Sequence, residues 1–287
     1  MSVTATHTVR VLQAGTPNAR AAVFDLYGDH LRERGGEAPV SAIIRLLEAL
    51  DIAAPAVRTA VSRMVRQGWL EPVRRPSGPG YRLTNRAWRR LDEAAVRIFG
   101  KQDLDAWDGR WTVLVVEKTN QRSRRERLAR GLAFLGFRQL DTNAWLAPRG
   151  SLEAEAVLSA EGLGFDEFRA EFAGDSRELV DRLYSLDALA AAYRQWLDNA
   201  QQLIAATTDQ PDSRSAFAAR AQLLHEWRKF LFRDPGLPTA LVPADWPGIA
   251  ARRYFDAQAE RLLPGARAYV DHCLNGSCPA GKGDAPT

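Results

Sequence analysis

Apolar residues recur at a helical period over residues 39–50, where Ile43, Ile44, Leu46, Leu47 and Leu50 gather on one side. They do so again over residues 54–67, where Val57, Ala60, Val61, Met64 and Val65 share a face. Pro55 suits the first turn of this second helix, in which a missing N–H loses no partner, and Gly68 suits its end. The opposite face presents Arg58, Thr59, Ser62, Arg63 and Arg66. The period then shortens. Residues 69–73 and 81–83 read as strands, joined by Arg74-Arg75-Pro76-Ser77-Gly78-Pro79-Gly80, a turn by its Gly and Pro content. Two helices across a tight turn, followed by a hairpin, form the pattern of a winged helix-turn-helix.

The flanking pattern extends this module. Thr16-Pro17 reads as a cap and first turn opening a helix to about Glu33, with Val23, Leu26, Tyr27 and Leu31 on its buried side and Gly35-Gly36 at its end. Thr84 caps a helix carrying Leu91, Ala94, Ala95 and Ile98 and ending at Gly100. A flexible tail is expected over residues 1–16, a winged domain over 17–100 and an Asp-rich linker over 101–108. Beyond it, strand-like runs at residues 111–117, 138–140, 144–147 and 168–172 alternate with helical ones at 122–135 and 152–160. This βαββαβ order predicts a ferredoxin-like middle domain over residues 109–183. Periodic segments at 186–206 and 213–232 predict a mainly helical C-terminal domain over 184–264, its last helix ending before Pro264, with a flexible tail at 265–287. The fold class is therefore α+β.

Charge sharpens the first domain's role. From Arg58 to Arg90 there are nine arginines and one acid, Glu71, in a chain whose formal net charge is only +4. Charge concentrated in one module points to a nucleic-acid face. The competing reading is a solvated, arginine-rich surface. On the first reading, Arg58, Thr59, Ser62, Arg63 and Arg66 enter the major groove of double-stranded DNA, and Arg74, Arg75, Ser77 and Arg82 of the wing lie along phosphate.

A length of 287 residues leaves room for two or three domains. No apolar run approaches the ~20 residues needed to span a bilayer, and no export signal is visible, so a soluble cytoplasmic protein without membrane partners is expected. The only cysteines, Cys273 and Cys278, sit beside His272 in a Gly/Pro-rich end, which favours reduced thiols over a zinc site and excludes a disulfide scaffold. No phosphate-binding loop, dinucleotide fingerprint or nucleophile motif is present, so neither catalytic residues nor a cofactor or metal is expected, and the chain reads as a non-enzyme. The alternative reading is a metal-dependent nucleic-acid-processing enzyme built on the middle domain, with Glu117 near the end of its first strand as a ligand. A single carboxylate there is equally an acid at the edge of a sheet.

Three blocks resemble one family. Leu26-Tyr27-Gly28-Asp29-His30, Val57 through Val65 and Gly68-Trp69-Leu70 form the first. Trp111-Thr112-Val113-Leu114 and Asn143-Ala144-Trp145-Leu146-Ala147-Pro148 form the second. Phe232-Arg233-Asp234-Pro235 through Asp245-Trp246-Pro247-Gly248 form the third. In this order they are similar to the phenylacetic acid degradation repressors, the PaaX-type regulators. The resemblance implies a repressor of an aromatic-acid catabolic operon, relieved by an aryl-acyl coenzyme A such as phenylacetyl-CoA. A homodimer on an inverted repeat is expected from the helix-turn-helix.

The residues leave the effector site open. The run Arg122, Arg124, Arg125, Arg127, Arg130 reads as a solvated helix face, as an auxiliary DNA contact, or as a site for effector phosphates. Trp227, Phe230, Phe232 and Trp246 interleave with Arg228, Lys229 and Arg233, either as a core with a cationic rim or as a pocket for an acyl-CoA. Arg124, Arg127, Trp227, Arg228, Lys229, Arg233 and Trp246 are the candidate effector residues.

Overall fold

A computed structural model describes residues 17–75, 78–100 and 107–276. The chain opens with α1 (Ala19–Leu26), capped by Asn18, whose side chain accepts from the Ala21 amide at 3.0 Å. The expected single helix from Pro17 to Glu33 is in fact three pieces. After α1 the backbone widens into a π turn over Tyr27–Leu31 and tightens into a 3-10 turn over Arg32–Arg34. Thr16, the expected cap, lies outside the described residues. Gly35 and Gly36, at φ 83° and 70°, then reverse the chain in a conformation that favours glycine.

There follow β1 (Glu37–Pro39), α2 (Val40–Glu48), α3 (Ala54–Arg66), β2 (Leu70–Arg75) and β3 (Gly78–Leu83). The three strands form an antiparallel sheet in the order β1-β3-β2, Tyr81 standing opposite Ala38 on one side and Pro72 on the other. Helices and hairpin are tied together at Tyr27, whose fully buried hydroxyl donates to the Tyr81 carbonyl at 2.9 Å. Val57, Ala60, Val61 and Met64 are the buried side of α3, as its period predicts. Thr84 accepts from the Ala87 amide at the start of α4 (Asn85–Phe99).

The middle region comprises β4 (Arg110–Val116), α5 (Arg122–Phe134), β5 (Arg138–Asp141), β6 (Ala144–Ala147), α6 (Ala154–Ala160) and β7 (Phe165–Glu171). Its four strands are antiparallel in the order β5-β6-β4-β7, so the first strand in sequence is central and the last lies at an edge. Gly131 lets α5 approach α6: a Cβ there would meet Val157 Cγ1 at 2.5 Å. Trp111 and Leu146 of the sheet pack with Leu179, Val180 and Tyr184 and with Leu237, Leu241 and Val242 into one core.

The remaining elements are α7 (Ser176–Leu183), α8 (Leu186–Ala205), α9 (Ser213–Trp227), 3-10 turns at Arg228–Phe232 and Thr239–Leu241, and α10 (Pro247–Leu274). The expected stop before Pro264 does not occur, and residues 265–274 are helix rather than tail. An interior proline costs ~3 kcal/mol. Beyond it Ala266, Tyr269, Val270 and Cys273 are all buried, and each large apolar side chain taken from water contributes ~1.5–3 kcal/mol, so packing wins. Gly265 allows that packing, since a Cβ there would come 2.7 Å from the Ala216 Cβ. Cys278 lies outside the described residues.

The chain divides into two compact units that do not follow sequence order. One contains residues up to 88 together with 197–226 and those from 254 onward; the other contains 89–196 and 227–253. The sequence-based division, by contrast, closes a first domain at Gly100 and gives the C-terminal helices a body of their own.

Candidate functional site

In the first unit, α3 presents Arg58, Thr59, Ser62, Arg63 and Arg66 to solvent, each of them exposed. Thr59 donates its hydroxyl to the Pro55 carbonyl at 2.9 Å, which leaves its oxygen free to accept. Among the described residues no acid pairs with Arg58, Arg63, Arg66 or with the exposed Arg74 of β2. Four guanidiniums on one side of a helix and its adjoining strand can address phosphate or the guanine edge.

Four other arginines of this stretch are engaged. Arg75 is half-buried and pairs with Glu37 of β1 at 2.5 Å, and Arg82 pairs with Glu71 at 2.7 Å across the hairpin. Arg86 lies 4.3 Å over the ring of Trp69, which itself meets Phe24 edge-on at 5.3 Å. Arg90 sits 3.2 Å from the centroid of Phe134 and 3.5 Å from Glu153, and burial lowers its pKa to about 10. Ser77 lies outside the described residues.

The same unit holds a polar core, between the Tyr27–Leu31 turn and α9, that the sequence did not reveal. Asp29 is buried and receives two hydrogen bonds from Arg220 of α9, Nε to Oδ2 at 2.8 Å and Nη2 to Oδ1 at 2.6 Å. A third donor of Arg220 reaches the Ala259 carbonyl. Burial by itself raises the Asp29 pKa, but His30 and the Arg220 guanidinium outweigh it and hold the carboxyl well below the usual carboxylate range. Asp25 likewise meets His225 at 2.9 Å. Its signal in the sequence was faint: an Asp-His pair on an otherwise apolar helix face, with partners nearly 200 residues away.

The second unit holds a cavity of about 390 Å³. Tyr193 and Phe230 stack on one another at 4.1 Å and 10°, with Trp227 and Trp246 each 6.0 Å from Tyr193. Gly248 makes room for this cluster, because a Cβ there would lie 2.5 Å from Trp246 Nε1. Asp234 receives the Tyr193 hydroxyl and the Gly236 amide, while Arg97 donates to the carbonyls of Leu231 and Asp234 at 3.0 and 2.7 Å. Burial and the nearby Asp234 carboxylate raise the Tyr193 pKa well above that of a free phenol. Arg252 and Arg253 complete the cationic side of the lining.

Of the seven candidate effector residues, the structure places Trp227 and Trp246 on this cavity. Arg228, Lys229 and Arg233 belong to the same segment without lining it, and Arg124 and Arg127 lie on α5, the latter paired with Glu161 at 2.8 Å. Arg97, Tyr193, Asp234, Arg252 and Arg253, which do line it, were not among the candidate effector residues. Glu117, the candidate metal ligand, accepts from the Gly164 amide at 2.9 Å. No three His, Cys, Asp or Glu side chains converge among the described residues. No helix among them is long and apolar enough to cross a membrane.

Comparison with known proteins completes the picture. Three family models match in sequence order: PaaX-like protein over residues 18–87, the PaaX protein central Cas2-like domain over 104–181 and the PaaX-like protein C-terminal domain over 184–272. The chain is 28% identical over 275 residues to the transcriptional repressor PaaX of Escherichia coli K12, covering 92% of this chain and 86% of that one. Among solved structures it is similar to the uncharacterized protein Rv0674 from Mycobacterium tuberculosis, at 26% identity and a TM-score of 0.54, covering 88% of this chain and 98% of that one. With matches of one family running in order through all three of its segments, the chain belongs to the PaaX-like regulators.

Proposed function

We propose that this protein is a cytoplasmic transcriptional repressor that binds duplex operator DNA and controls an aromatic-acid catabolic operon of the phenylacetate type. The observation that carries the reading is the exposed face of α3, with Arg58, Arg63 and Arg66 free of acid partners among the described residues, on a chain similar to a transcriptional repressor. In this reading α2 and α3 with the β2–β3 hairpin are a winged helix-turn-helix, and the β5-β6-β4-β7 sheet with α5 and α6 is a ferredoxin-like domain. α3 enters the major groove, Arg74 and the wing follow phosphate, and an aryl-acyl-CoA releases the complex.

A homodimer places two α3 helices about one helical turn, ~34 Å, apart on an inverted repeat. Edge strand β7 supports such pairing. From Asp166 to Glu171 it is exposed throughout, and antiparallel to itself about Phe168 it sets Glu167 opposite Arg169 twice. A gel shift on the protein's own upstream region, with and without phenylacetyl-CoA, tests the function. Retarded DNA released by the thioester is the expected result; magnesium-dependent cleavage of that DNA without a stable complex would replace this reading by the nuclease one.

A further inference from the structure

The aromatic cavity of the second unit has a size and a polarity, and together they select a ligand. Its volume of about 390 Å³ falls within the range of small-molecule sites, ~300–1,000 Å³, and is too small for a whole coenzyme. Its walls are planar: the stacked Tyr193 and Phe230, then Trp227 and Trp246 at an angle to them. Rings prefer offset or edge-on neighbours, and this arrangement offers a further ring both geometries. The charges are unevenly spread. Asp234 is half-buried and held by the Tyr193 hydroxyl and the Gly236 amide, whereas Arg253 is exposed and Arg252 half-buried on the following helical turn. Arg97, which donates to the Asp234 carbonyl at 2.7 Å, offsets the Asp234 charge at the inner end, so a free acid finds no cation left for it there and, lacking the carrier, forgoes the outer contact as well. An anion carried further out would meet Arg252 and Arg253.

We infer that this cavity is the effector site, taking the aromatic acyl end of a thioester among Tyr193, Trp227, Phe230 and Trp246, with the anionic carrier lying outside along Arg252 and Arg253. The inference rests on the acyl-CoA reading above and adds where the ligand sits, which way round, and why the free acid is the poorer ligand. It also connects binding to the fold. Asp234 anchors the loop that carries Leu237, Leu241 and Val242 into the core beside the β4 and β6 strands, so a ligand seated against Asp234 and Trp246 bears on that core.

Calorimetric titration of the full-length protein with phenylacetyl-CoA, coenzyme A and phenylacetate tests the assignment. The thioester should bind most tightly of the three. Ile249→Trp, which fills the cavity, should abolish its binding, and Arg253→Glu, at an exposed position that cannot disturb the core, should weaken it by about tenfold, the equivalent of ~1.4 kcal/mol. The same substitution should leave phenylacetate binding nearly unchanged. Thermal melts accompany both variants; if Ile249→Trp unfolds, Arg253→Glu alone decides. Thioester binding that is unaltered by Arg253→Glu overturns the site while leaving the effector class standing. Phenylacetate binding as tightly as the thioester overturns the orientation. Absence of binding by phenylacetyl-CoA and other aromatic acyl-CoA esters to the wild-type protein overturns the effector reading itself, and the site with it.

Discussion

The arginines of α3 and Arg220 of the polar core in the same compact unit are one residue type in two opposite settings. Arg58, Arg63 and Arg66 stand in solvent with no acid beside them among the described residues. Arg220, in the same compact unit, has a side chain only 5% exposed and donates to Asp29 and the Ala259 carbonyl. An exposed, unneutralised guanidinium adds little to stability and is available to a polyanion. A buried, fully paired one can be removed only by leaving a charge stranded. Local charge density marks the candidate DNA surface in the sequence, whereas the buried pair in the same unit joins Asp29 to a cation 191 residues further along the chain and leaves no local mark.

The largest effect should therefore come from the buried member. Arg220→Ala strands the Asp29 carboxylate and should cost ~3–5 kcal/mol in the unfolding free energy of the full-length protein. A denaturant melt superimposable on wild type would break the contrast between the two sets. The same pair sets an acid limit. Because the folded Asp29 pKa is depressed, its contribution is complete above the ordinary Asp value of 3.8 and is lost as pH falls toward the folded value. Asp29→Asn should accordingly flatten the acid side of the stability profile, and an acid midpoint identical in both proteins would contradict it.

The exposed set should behave the other way. Arg63→Ala should leave the melting temperature where it is and weaken binding to the specific operator by ~1–3 kcal/mol more than binding to random DNA. Equal losses on both DNAs would move Arg63 from base reading to phosphate. The smallest effect sharpens the comparison within the β2–β3 hairpin. Arg74→Ala should lower the salt dependence of binding by about one phosphate contact, a slope change of ~0.9. Arg75→Ala should change the slope less, since Glu37 already neutralises that side chain at 2.5 Å. Equal slopes for the two variants would mean the ion pair opens on DNA.

Much of this was legible in the sequence where local periodicity decides structure. The buried and exposed faces of α3, the βαββαβ order and the helical C-terminal region follow from spacing alone. β1 escaped notice because three residues, Glu37–Pro39, carry no period, and it exists only because β3 offers it a ladder. Pro264 misled for a related reason: a local breaker was overridden by tertiary burial at Tyr269, Val270 and Cys273. The two compact units, each assembled from distant stretches, likewise have no local signature. A fragment ending at Gly100, which reads as a complete domain, would leave Asp29 without Arg220 and Asp25 without His225.

The candidate sites show the same division. The candidate DNA-contacting residues are neighbours on one helix and one hairpin, so their pattern is visible in a line of text. The cavity draws Arg97, Tyr193, Asp234 and Arg252 from four separate segments, and of its lining only Trp227, Phe230 and Trp246 stood out as aromatics, by residue type. Arg228, Lys229 and Arg233 shared their sequence neighbourhood without sharing the cavity, since adjacent positions on a tight helical turn point in different directions.

The central claim is that the exposed face of α3 reads DNA. Fluorescence anisotropy of a labelled duplex from the protein's own upstream region, titrated with wild type and with the Arg58→Ala, Arg63→Ala, Arg66→Ala triple variant, tests it most directly. The account predicts tight, salt-sensitive binding by wild type and loss of sequence-specific binding by the triple variant at an unchanged melting temperature. Wild-type affinity retained by the triple variant would contradict it.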